Sequence, residues 1–66
     1  MKRGDTVMVR VYPDGVVARV AWEVLDTWVM VCRPQVFQEA IANGEDEPRS
    51  WMGFPLEDVS VAMERA

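Results

Sequence analysis

The chain has no histidine, a single cysteine, and no apolar run approaching the ~18 residues of a membrane span. Each absence removes a class of chemistry. Without histidine the commonest general base is missing, and with it any Cys–His pair or imidazole–metal site. Cys32 has no second cysteine to pair with, so no intramolecular disulfide can form, and a reducing cytoplasm is the simplest home. A lone thiol cannot hold zinc. At the end of an apolar stretch Cys32 reads as a small core filler, although Arg33 beside it could in principle lower a thiol pKa. Ser50 and Ser60 have no activating base in view. The chain is therefore expected not to be an enzyme. Met1-Lys2-Arg3 is basic, but Gly4-Asp5-Thr6 stands where a signal peptide would need an apolar region, and no membrane partner is expected.

Clustered positive charge is lacking too. The seven basic residues (Lys2, Arg3, Arg10, Arg19, Arg33, Arg49, Arg65) are scattered singly against eleven acids, for a net charge of −4. Neutralising phosphates drives nucleic-acid affinity, so such modules usually show a basic face. None is visible here, which argues against a nucleic-acid partner unless folding gathers Arg10, Arg19 and Arg33. The acids are no better placed for metal: Glu45-Asp46-Glu47 are adjacent rather than spaced as a calcium loop requires. Glu57-Asp58 suits a turn or cap. No metal and no cofactor is expected.

What is present is a globular composition, half apolar and 27% charged. Sixty-six residues make one domain, 1–66. A chain this short buries only about 60% of its unfolded surface, so its stability should be modest.

Val7, Val9 and Val11 alternate with Met8, Arg10 and Tyr12, the period of a strand. Tyr12-Pro13-Asp14-Gly15 follows as a turn, Gly15 tolerating a left-handed conformation. A loop over these residues pairs Val11 with Val16, Val9 with Ala18 and Val7 with Val20. A second hairpin turns at Leu25–Trp28, placing Trp22 opposite Val31 at the centre of the core and continuing the inner face through Val24 and Val29. The expected strands are Thr6–Tyr12, Val16–Val24 and Trp28–Cys32. Pro34 then opens a helix to Asn43, with Val36, Phe37, Ala40 and Ile41 at helical spacing and Gly44 as its stop. Beyond the acidic loop, Gly53 and Pro55 are expected to break any regular element, and Asp58–Met63 alternates as a closing strand. The fold class is mainly β (α+β): a small barrel-like antiparallel sheet with one short helix.

"KRGDTVMVRV", a basic-Gly-Asp turn feeding a strand, and "LEDVSV", a turn entering a last strand, resemble the corresponding parts of Src-homology-3-like barrels, the group that includes Tudor and KOW modules. The resemblance is one of pattern and covers most of the chain. The helix between strands three and four departs from the plain barrel. Barrels of this kind bind peptides, modified side chains or nucleic acids, and fold alone does not choose among them.

Two surfaces stand out for binding. One is the outer sheet face, where Met8 lies beside Arg19, Val17 beside Arg10, Ala21 beside Cys32 and Glu23 beside Met30. An exposed second face should be polar, and this one is apolar enough to need a cover. That cover is either the chain's own helix or a protein partner or second copy. The other surface is aromatic: Tyr12 and Trp51, outside the core, could form a cation-holding cage or simply lid a small core. The reading is an interaction module for another protein or for itself, binding through Met8, Arg10, Tyr12, Arg19, Met30 and Trp51. The alternative is a nucleic-acid accessory using the sheet arginines.

Overall fold

The computed structural model describes residues 1–13 and 15–62. Asp14 of the expected first turn and Met63 of the expected last strand lie outside the described residues. Five antiparallel strands form one curled half-barrel sheet: β1 (Thr6–Val11), β2 (Gly15–Val24), β3 (Trp28–Cys32), β4 (Met52–Pro55) and β5 (Val59–Val61), in the order β4-β3-β2-β1-β5. The one α-helix among the described residues, α1 (Pro34–Ala42), joins β3 to β4 through a loop, and a 3₁₀ turn, Leu56–Asp58, leads into β5. The basic-Gly-Asp opening is a turn as expected. Asp5 N–H donates to the Lys2 carbonyl at 3.1 Å, the Lys2 backbone N–H donates to the Asp5 carboxylate at 2.9 Å, and Gly4 takes φ 97°.

The first hairpin is one residue tighter than expected. β2 begins at Gly15, which pairs with Val11, so Val9 faces Val17 and Val7 faces Arg19. Gly15 is thus a strand residue rather than a turn glycine, and a Cβ there would meet Val11 Cγ2 at an ordinary 3.7 Å. Because successive strand side chains alternate between faces, a slip of one residue turns that part of β2 over. Val17, Arg19 and Ala21 go to the inner face, and Val16, Ala18 and Val20 to the outer.

The second hairpin nevertheless keeps its expected tip, with Val24 opposite Val29 and Glu23 opposite Met30. A bulge between Ala21 and Glu23 reconciles the two registers. Trp22 is the surplus residue. It is therefore not opposite Val31, whose partner is Ala21, and Cys32 pairs with Val20 rather than Ala21. Bulges kink a strand and sharpen its twist, which suits a sheet that curls.

β4 overturns the expectation that Gly53 and Pro55 exclude regular structure. Met52–Pro55 pairs with β3 over its whole length. As an edge strand it tolerates proline. Its glycine is required by contact: a Cβ on Gly53 would lie 2.8 Å from the ring carbons of Trp28.

The sheet buries apolar side chains on both faces. Inside the curl Val7, Val9, Ala21, Val29, Val31 and Val59 form one cluster, flanked by Val11, Val17, Phe54 and Leu56. Outside, Trp22, Met30 and Ala40 form a second with Trp28 and Phe37. Trp22 meets Phe37 edge to face with ring centroids 5.6 Å apart, and the Arg3 guanidinium lies 4.5 Å from the Trp22 ring centre. The helix buries Val36 and Ala40, with Phe37 half-buried, while Ile41, expected on the same stripe, is 52% exposed.

Candidate binding cleft

Between β4, the start of α1 and the far ends of β1 and β2, the concave face opens into a cleft of about 610 Å³. Its floor follows from strand alternation. Val17, Val31, Met52 and Phe54 occupy inner-face positions and line it, with Val36 contributed by the helix. Around this apolar floor stand Arg10, Arg19, Arg33 and Arg49, with Asp58 the one acid in the lining among the described residues. Four of the chain's seven basic residues converge on one opening of an acidic protein.

The arginines are placed differently. Arg19 points from an inner-face position opposite Val7 and is half-buried, its Nη1 donating to the Ala18 carbonyl at 2.7 Å. Arg33 is the N-cap residue of α1, a helix whose first turn has no acidic residue and whose cap makes no side-chain hydrogen bond. The positive end of the helix dipole thus adds to the charge of Arg33. Arg49 donates from Nε to the Glu39 carboxylate at 2.7 Å, which ties the loop after α1 back to the helix and offsets its charge. Arg10 borders both the cleft and a shallower groove with Met8, Val16 and Ser60. Among the described residues, Arg10, Arg19 and Arg33 form no ion pair.

The expected site residues separate into groups. Arg10, Tyr12, Arg19 and Trp51 come together in the cleft. Met8 is half-buried in the shallow groove. Met30 is only 7% exposed, packed with Trp22 and Ala40 under the helix, so it is not offered to a partner. The chain's own helix covers that half of the outer face. Tyr12, 83% exposed, and Trp51 share the cleft, but the arginines around them repel the cation that an aromatic cage would hold. Trp51 instead stacks on Trp28 at 6.2 Å.

Cys32 is buried, and desolvation pushes its thiol pKa up, which favours the unreactive protonated form. Among the described residues no group of three or more acids or cysteines could hold a metal ion, and no helix is long and apolar enough to cross a membrane.

Arg33, expected only as part of a gathered set, and Arg49, not expected at the site at all, have no local signal for this role. Their positions depend on where α1 leaves the sheet and where the chain returns. The fold and cleft define a small antiparallel half-barrel with an arginine-rimmed concave opening. No family model, no curated protein and no solved structure matches the chain.

Proposed function

We propose that the chain is a non-catalytic interaction module, of the small barrel type that resembles Src-homology-3-like domains, and that it binds another protein through the concave cleft. The observation that carries this reading is the convergence of Arg10, Arg19, Arg33 and Arg49 on an apolar floor that the described residues leave open. A concave, mostly apolar site with a few fixed polar groups is the usual form of a binding pocket. The raised pKa of buried Cys32 and the absence of histidine leave the cleft without a ready thiolate or an imidazole base.

The gathered arginines also favour a second reading, a nucleic-acid accessory. Two features weigh against it. The net charge of −4 repels a polyanion at long range. The cleft floor is mainly aliphatic, and of the exposed rings in its lining Trp51 is already stacked on Trp28, which leaves Tyr12 alone among the described residues as a platform for a base.

Affinity capture from the native host, run with the parent chain and an Arg19→Glu/Arg33→Glu variant in parallel, tests the first reading. A protein retained by the parent and lost by the folded variant is expected. If the variant keeps every association, the cleft is not the binding surface. For the second reading, fluorescence anisotropy with single-stranded DNA or RNA at ~150 mM salt should show no micromolar binding. Clear binding there would put the nucleic-acid reading first.

A further inference from the structure

We propose that the cleft takes an acidic segment of its protein partner, in an extended stretch that sets one large apolar side chain between carboxylates. This rests on the interaction-module reading and gives its partner a chemistry. Arg19 is a charged residue on an inner sheet face, half-buried and without a carboxylate partner among the described residues. Its guanidinium, exposed where it donates to the Ala18 carbonyl, is free of a carboxylate among the described residues, and its planar fork matches one. Arg33 and the uncapped first turn of α1 add positive potential on a second wall. Between them the floor of Val17, Val31 and Phe54 offers an apolar seat. An opening of about 610 Å³ admits a side chain and its neighbours rather than a folded domain. Asp58, the opposing acid of the lining, marks where a carboxylate would be unwelcome.

The test uses three labelled probes with the full chain: a short peptide alternating glutamate and leucine, its glutamine–leucine counterpart, and an oligothymidylate of matching charge. The glutamate–leucine peptide should bind at least about tenfold more tightly than either of the others, because the charge pairs and the apolar seat act together. Arg19→Gln and, separately, the exposed Arg33→Gln should each weaken it about tenfold, and Asp58→Asn should tighten it. Thermal melts of the variants show that the fold is kept, Arg33→Gln serving if Arg19→Gln unfolds. Equal binding of the two peptides, indifference to both arginine substitutions, or absence of peptide binding would each overturn the acidic-segment inference. Tighter binding of the oligothymidylate would overturn it in favour of a phosphate backbone. The module reading survives the first three outcomes and gives way to the nucleic-acid reading only on the last; its own test is separate, the loss of protein associations in the cleft variant.

Discussion

The two faces of the sheet are buried by different means. The inner face is lined almost entirely by valine, with Val7, Val9 and Val29 at 0% exposure, enclosed by the curl of the sheet with Leu56 of the 3₁₀ turn. The outer face carries the large rings, Trp22, Trp28 and Phe37, and is closed by α1 on one half only. Beyond the helix Val16 is 58% exposed. Small β-branched residues let the strands curl tightly, whereas bulky rings fill the wider gap beneath a helix. The comparison teaches where each face is complete. The outer core is finished within the chain, while the inner face runs out into the cleft and stops at Arg10, Arg19 and Arg33, which form no ion pair among the described residues.

Substitutions under the helix give the largest expected effects. Trp22→Ala should cost roughly 3–5 kcal/mol, comparable to the whole stability of a domain this small. Met30→Lys, which places a charge without a partner beneath α1, should likewise leave the chain unfolded. Val31→Ala on the inner face should cost less, about 1–3 kcal/mol. Circular-dichroism melts rank the three. If the inner-face truncation proves the most severe, the outer cluster is not the main core.

Gly53→Val tests the seam between β4 and the tryptophans. The added Cβ would enter the 2.8 Å approach to Trp28, and an overpacked contact of this kind costs about 1–3 kcal/mol. The Trp28–Trp51 stack should be disturbed at the same time, visible as a change in near-ultraviolet circular dichroism. An unchanged melt and spectrum would mean that Trp28 has room to move aside.

Cys32 gives a smaller effect, with a definite sign. Burial raises its pKa in the folded chain, so the unfolded chain ionises first as the solution becomes alkaline. Its contribution to stability is fully present below the ordinary thiol pKa of about 8.5 and is lost as pH climbs through the folded value. Urea midpoints measured across this range should fall more steeply for the parent than for Cys32→Ala. Parallel slopes would show that the thiol is not desolvated.

The smallest effect is expected at the cleft rim. Arg33→Gln, an exposed position without an ion pair among the described residues, should change stability by less than about 0.5 kcal/mol while altering binding. A large loss of stability would move Arg33 from the opening into the scaffold.

Much of the fold is legible because its signals are local. The valine alternation marks the first three strands to within a residue, and Pro34 and Gly44 bracket a helix that ends at Ala42. The hairpin register is not legible to one residue, because Val16 and Val17 are both apolar and either satisfies the pattern. Trp22 misleads for a related reason. Val20, Trp22 and Val24 read as one continuous face, and only the helix packed outside decides that Trp22 leaves it. Gly53 and Pro55 look like breakers because their fitness for an edge strand depends on Trp28, far away in sequence. At the cleft, Arg10, Tyr12, Arg19 and Trp51 are nameable from the chain, but their meeting depends on the curl of the sheet.

The bulge at Trp22 has a consequence for how this chain could gain or lose length. Between Val20 and Val24, Trp22 is the residue of β2 that the ladder to β3 skips. A chain with Trp22 deleted would still set Ala21 against Val31 and Glu23 against Met30, now in unbroken succession. The valine face and both hairpins would keep their pairing. The loss would fall on the other side, where Phe37, Met30, Ala40 and Arg3 would lose the Trp22 ring they close around. A single inserted residue is thus enough to turn a plain curled meander into a sheet that can dock a helix.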